Sequence, residues 1–209
     1  MKSRLGIAFA PLVVVLCMSQ DALLLRMIRA AGMPVAFLMQ VITFSGDYRF
    51  LLFLFGLLWV AGYVAKTGDI RDLGQGVICS LVLVRIVVET AKFLIGRARP
   101  FVAPLPEPFL TFAGPTLQND FHSFPSGHAT NAFAVAAVVS IFFPPFFRPT
   151  LIWAILVALS RVTLNQHFVS DVVAGGLLGY CGACVVAERV KAGTLLPKSF
   201  AALPGMRPR

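Results

Sequence analysis

Six stretches of this chain are apolar for so long that they must be buried in hydrocarbon or in one another: residues 5–20, 48–66, 74–96, 127–144, 150–164 and 168–189. Crossing a bilayer core of about 30 Å takes about 20 residues of helix, and without water only segments that satisfy their own backbone hydrogen bonds can cross it. The runs predict an all-α polytopic membrane protein, a bundle of six transmembrane helices. Several runs are short for a bilayer, and the fourth to sixth can extend by a turn into their flanks. Composition agrees: 13% of residues are charged, against about 25% in soluble domains, and the mean hydropathy is +0.84. Residues 21–47 carry Arg26, Arg29 and Pro34 among apolar residues, which predicts one or two short interfacial helices. Residues 101–124, with Pro104, Pro106, Pro108 and Pro115, form the longest irregular stretch and are expected to make a lid or an entrance rim.

The apolar run after Lys2 and Arg4 imitates a signal peptide, but no small-residue cleavage site follows, so it is expected to be a retained first helix. Residues 1–190 then make one membrane domain and residues 191–209 a basic tail. Lys and Arg accumulate on the side that holds both termini, through Lys2, Arg4, Lys66, Arg71, Arg148, Arg189, Lys191, Lys198, Arg207 and Arg209. The positive-inside bias makes that side cytoplasmic; in a bacterium the opposite ends would face the periplasm from the inner membrane. The net charge of +9 fits contact with membrane lipids. No basic stripe interleaved with aromatics points to nucleic acid. Cys17, Cys79, Cys181 and Cys184 all lie in apolar runs and imply no disulfide framework and no metal site. Gly175, Gly179 and Gly182 form a small-residue stripe suited to close packing inside the bundle. Dimerisation through it is the lesser alternative, so the chain is expected to be a monomer or a weak homodimer.

Three polar blocks interrupt the greasy pattern, all at the expected outer ends of helices. The first holds Lys92 and Arg99, seven apart and so on one face if the helix persists, with Pro100 ending it. Arg97 points elsewhere and is expected at the rim, as a headgroup contact. The second is Pro125-Ser126-Gly127-His128. Ser126 suits an N-cap, Gly127 lets backbone approach an anion, and a helix start favours phosphate. His128 is placed for a general acid. The third is Ser160-Arg161, then His167 and Asp171. A carboxylate four residues on can hold one imidazole nitrogen and leave the other as a nucleophile, while Arg161 offers a forked donor to phosphate oxygens. Glu89 neutralises Arg85 or tunes Lys92, and His122 is expected to face solvent from its loop. Each cation at a helix centre in lipid costs about 2.5–3.5 kcal/mol on insertion scales, so their convergence at one depth points to a use: holding a phosphate and breaking its ester bond.

Lys92-x6-Arg99-Pro100, Pro125-Ser126-Gly127-His128 and Ser160-Arg161-x5-His167-x3-Asp171 together resemble the three-part signature of the type 2 phosphatidic acid phosphatase superfamily. The resemblance implies a cofactor-free, metal-independent phosphatase domain. His167 would attack phosphorus to give a phosphohistidine, Asp171 would orient it, and His128 would protonate the leaving alkoxide and then activate water. Lys92, Arg99, Ser126, Gly127 and Arg161 would hold the phosphate oxygens. The implied substrate is a lipid phosphate or diphosphate, with phosphatidic acid, phosphatidylglycerophosphate, undecaprenyl diphosphate and lipid A phosphates as candidates. Two alternatives remain open from sequence: a phosphotransferase using the same residues, and a non-catalytic anionic-lipid binder or transporter. A haloperoxidase fits poorly inside a membrane bundle.

Overall fold

The computed structural model describes residues 2–30, 36–102 and 112–195. Pro34, the centre of the proline-rich stretch and most of the basic tail lie outside the described residues. The described residues form seven α-helices: α1 (Lys2–Ala30), α2 (Ala36–Ser45), α3 (Tyr48–Val64), α4 (Gly68–Ile95), α5 (Gly127–Phe142), α6 (Phe147–Thr163) and α7 (Val169–Lys191). Extended pairing among the described residues is limited to a single antiparallel bridge between Arg97 and Phe112.

α5 is the axis of the bundle. Its sequence, GHATNAFAVAAVVSIF, is small and apolar all round, and almost every residue from Ala129 to Val139 is buried. Helices come close to it because of this small size. α7 approaches so tightly that a Cβ at Gly175 would stand 2.5 Å from the Ser126 carbonyl oxygen, and one at Gly179 2.1 Å from that of Thr130. The glycine stripe is thus a packing surface within the bundle. Leu51 and Phe55 of α3, Val77, Leu81 and Val84 of α4 and Ala183 and Ala187 of α7 close one core cluster around α5. Ala154 and Val157 of α6, with Ile42 of α2, close another. The outward faces keep large apolar side chains, such as Leu16, Phe53, Ile86, Ile152 and Val185, a surface matched to lipid rather than to water.

α6 with its preceding 3₁₀ turn (Pro144–Thr163) and α7 are each long and apolar enough to cross a membrane. α2 and α3, bent by 49° at their junction, make a third such span if taken together. α5 has 16 residues, and α4 carries Asp69, Arg71, Asp72, Arg85, Glu89 and Lys92 along its length, which dilutes its apolar signal.

Two boundaries differ from the sequence expectation. α1 does not stop near residue 20 but runs to Ala30, because Asp21 is fully buried in an ion pair and Leu25 packs beneath it. Asp21 and Leu25 therefore belong to the bundle, not to an interfacial helix. α4 ends at Ile95, four residues before Arg99, because Gly96 turns the chain in the left-handed region (φ 59°). A side chain there is also blocked, since a Cβ would lie 2.1 Å from the Gly114 carbonyl oxygen. The described part of the proline-rich stretch is strapped onto this turn: Ala113 donates to Gly96, Thr116 to Phe93 and Ser123 to Arg97.

Gly179→Ala should destabilise the bundle by about 1–3 kcal/mol or more through overpacking against α5. Gly56→Ala, where a Cβ meets nothing within 4 Å, should be neutral or stabilising by up to about 1 kcal/mol. Thermal unfolding of the two variants in detergent checks this; equal melting temperatures would refute the close α5–α7 contact.

Candidate active site

The alternating direction of α3 to α7 brings the start of α3, the end of α4, the start of α5, the end of α6 and the start of α7 to one end of the bundle. There they enclose a cavity of about 340 Å³. Its walls include Lys92, Arg99, Gly127, His128, Arg161 and His167 from the three polar blocks. Arg49, Arg85, Asp47, Glu89 and His122 join them. Five cations against two carboxylates leave the cavity strongly positive.

Four of the five cations are held by neighbouring groups. Lys92 is buried and pairs with Glu89 at 3.2 Å, and Glu89 also takes Arg85 at 3.2 Å, so it serves both cations. Arg85 stacks on the Tyr48 ring, 5.0 Å from its centroid. Arg99 does not share a helical face with Lys92. It enters from the loop beyond Gly96, donating to the Asn119 carbonyl and to Gln166, both at 2.9 Å. Arg161 donates from NH1 to Thr43 at 2.9 Å, while its Nε–H is buried with no protein acceptor. A buried guanidinium N–H on the wall of an anion-sized cavity has the geometry to take a phosphate oxygen. A Cβ on Gly127 would meet Lys92 Nζ at 3.5 Å and Arg85 Nη1 at 3.8 Å, ordinary contact distances, so both cations flank the first turn of α5. Ser126 stands at the N-cap position, yet its hydroxyl makes no capping bond and is buried without a partner. It lies behind Gly127 rather than on the cavity wall.

His167 precedes α7 and is 2% exposed. Its Nδ1 lies 2.8 Å from the Ser123 carbonyl oxygen, whereas the nearest Asp171 oxygen is 3.6 Å away. The backbone carbonyl therefore orients the imidazole, and Asp171 acts one bond removed. That carboxylate receives the Ser123 hydroxyl at 2.5 Å, the Phe168 N–H at 2.8 Å and Arg97 NH1 at 2.5 Å. With its proton on Nδ1, His167 leaves Nε2 unprotonated. Burial, reinforced by the charges of Arg161 and Arg99, pushes the imidazole down from 6.5 to about 4.

Arg97 is not at the rim. It is fully buried, bonded to Asp171, to Ser170 at 2.7 Å and to Asp21 of α1 at 2.9 Å, with its guanidinium 4.3 Å from the Phe168 ring centroid. Asp21 in turn receives the Ser170 N–H at 2.9 Å and its hydroxyl. Sequence reading missed this pair. The signal was an acid in an apolar helix, which needs a partner, and a cation in the first block that had been given none. Asp47 was also missed, although an Asp immediately before an apolar helix is a capping signal. His122 faces the cavity, not solvent, its Nε2 2.8 Å from the Thr116 carbonyl oxygen.

Comparison with known proteins places this geometry in context. A family profile described as the PAP2 superfamily matches residues 75–193, more than half of the chain. A lipid A 1-phosphatase of Rhizobium johnstonii is 32% identical over 162 residues, 71% of this chain and 65% of that protein. Phosphatidylglycerophosphatase B of Bacillus subtilis is 35% identical over 106 residues, 46% of this chain and 47% of that protein. The chain thus spans just under two thirds of the first relative and about half of the second. A crystal structure described as the first transmembrane PAP2 type phosphatidylglycerolphosphate phosphatase, from Bacillus subtilis, superposes with a TM-score of 0.65 at 25% identity, covering 89% of this chain and 94% of that one.

Arg97→Leu would leave two buried carboxylates facing each other and should destabilise the protein by about 3–5 kcal/mol. Asp21→Asn keeps Arg97 paired with Asp171 and should lose less. Chemical unfolding in detergent should rank wild type above Asp21→Asn above Arg97→Leu; an Arg97→Leu variant as stable as wild type would refute the buried network.

Proposed function

The chain belongs to the PAP2 superfamily, and from that membership we propose that it is an integral membrane phosphatase that hydrolyses a lipid phosphate monoester or diphosphate through a phosphohistidine. The observation that carries this reading is the pair of imidazoles on the walls of one cationic cavity, one of them with its Nε2 free to attack. In the first step His167 Nε2 attacks phosphorus, the bond to the leaving alkoxide breaks, and protonated His128 gives that oxygen its proton. In the second, neutral His128 takes a proton from water, which attacks the phosphohistidine and releases His167 and inorganic phosphate. Lys92, Arg99, Arg161 and the first-turn amides at Gly127 hold the non-bridging oxygens, where charge develops. Phosphoryl transfer depends mainly on such positioning and charge stabilisation.

The lipid reading rests on the apolar outer faces of the bundle and on the relatives' membrane substrates. The headgroup would enter the cavity while acyl or prenyl chains stay beside the helices. In this arrangement α1 and α3 to α7 provide six crossings, the last three reaching the interface through their flanking turns. The termini are cytoplasmic and the cavity opens to the outer, periplasmic side. The whole cage comes from one chain, so a monomer suffices.

Turnover of a panel of lipid phosphates and diphosphates in detergent tests this. His167→Ala should abolish turnover and phosphoenzyme formation. His128→Ala should lose about 10²–10⁴ in rate on alkyl esters. Full turnover by both variants would sink the mechanism. A second prediction follows from the low-lying imidazole. His167 must be neutral to attack, and it stays neutral down to about pH 4. The kcat/KM profile, corrected for substrate ionisation, should therefore show no fall near pH 6.5 and decline only well below it. An acid limb at 6–7 would mean that His167 is not the buried, neutral nucleophile.

A further inference from the structure

We propose that Asp47 is the positioning partner of His128, a fixed carboxylate beside Nε2 that favours the protonated form of this imidazole as the leaving group takes the proton. The inference rests on the phosphatase reading above. Asp47 sits in the elbow between α2 and α3, and its two oxygens have different tasks. Oδ1 caps α3, accepting the backbone N–H groups of Arg49 at 2.8 Å and Phe50 at 3.4 Å. Oδ2 is not needed for the cap and lies 4.0 Å from His128 Nε2, with both residues on the cavity wall.

The elbow is also tied to the helices that carry the chemistry. Asn131, three residues after His128 on α5, donates to the Gly46 carbonyl at 3.3 Å. Arg161 on α6 donates to Thr43, at the end of α2. The carboxylate is thus held at a set place relative to His128 by contacts on both of its sides.

The need for such a partner follows from the surroundings of His128. Facing it are Lys92 from α4, Arg161 from α6, His167 from the α6–α7 connection and Asp47 from the elbow. Burial opposes its protonation first, then Arg161, His167 and Lys92, and of these facing groups only Asp47 favours it. A general acid must carry its proton before it can give it away, and an opposite charge within about 4–6 Å displaces a titration by about one unit or more. The excess of cations that suits the phosphate works against the acid; Asp47 offsets part of that opposition locally. The residue touches His128, not the reacting atoms, so its effect is confined to proton transfer.

Asp47→Asn and Asp47→Ser test this, because Asn and Ser cap helices about as well as Asp. Either variant therefore removes the charge and keeps the fold, which melting in detergent verifies. Phosphoenzyme formation is measured by rapid quench against pH, with an alkyl phosphate and with p-nitrophenyl phosphate, whose leaving group needs little protonation. With the alkyl ester the basic limb should move down by about one pH unit and the rate at neutral pH should fall about tenfold. With the nitrophenyl ester both should stay near wild type. An unmoved limb, or equal slowing of both esters, would overturn the proposal, and a rise in KM alone would reassign Asp47 to headgroup binding. The wild type and His167→Ala run alongside. Without His167-dependent turnover in the wild type, the phosphatase reading falls and takes this inference with it. His167-dependent turnover with an unmoved limb defeats the Asp47 assignment alone.

Discussion

One guanidinium joins the parts of this site that sequence keeps apart. Arg97, fully buried just past the end of α4, bonds Asp21 in α1 and both Ser170 and Asp171 in the first turn of α7. Asp171 then holds the Ser123 hydroxyl, and the Ser123 carbonyl holds His167. Backbone bonds stitch the same region together: Ser123 donates to Arg97, and Ser126 to Asp171. Replacing a whole buried ion network by apolar groups is often neutral for stability, so this one is not to be counted as a gain in folding energy. Its consequence is registry. The three polar blocks can meet only when α1, α4 and α7 stand at one relative height, and a mismatch would strand a charge in the bundle.

The cage and the network show opposite ways of burying charge. In the network one guanidinium stands between two carboxylates and bonds both, with its Nε–H alone left without a partner among the described residues. In the cavity the balance is left open: Arg49, Arg85, Lys92, Arg99 and Arg161 face only Asp47 and Glu89. Glu89, between Arg85 and Lys92, relieves part of the repulsion and keeps Lys92 in position near Gly127. The remaining positive charge and the unpartnered Arg161 Nε–H are preorganised for an anion, so little reorganisation is needed when one enters.

The three polar blocks were legible because a charged residue in an apolar run has few reasons to exist, and because helix ends fix its depth. That logic found Lys92, Gly127, His128, Arg161 and His167 on one wall. It went astray where position depends on a partner far along the chain. Asp21 looked like the end of a helix, since an acid interrupts an apolar pattern, yet Arg97 satisfies it and α1 continues. Arg97 looked like a rim residue for the complementary reason, that no partner was in view. Arg99 was expected on the helical face of Lys92, but Gly96 breaks the helix and the loop delivers the side chain instead. The i, i+4 spacing correctly set Asp171 near His167; it could not reveal that a backbone carbonyl takes the hydrogen bond.

That substitution has a chemical consequence. A carboxylate bonded directly to the nucleophilic imidazole would raise its proton affinity and draw it toward the charged form. A carbonyl fixes the same tautomer without bringing a full negative charge into contact, so burial prevails and His167 stays neutral, as the proposed attack requires. In the proposed mechanism Asp171, at 3.6 Å, would still stabilise the cationic phosphohistidine once formed, when a charge there is useful. In that proposed mechanism His128 has the reverse requirement, since it would carry its proton when the first bond breaks. Its carboxylate, Asp47, sits on the open cavity wall, whereas Asp171 is buried behind a serine. The two imidazoles thus lie on one cavity with opposite protonation demands, and the placing of the two carboxylates separates them.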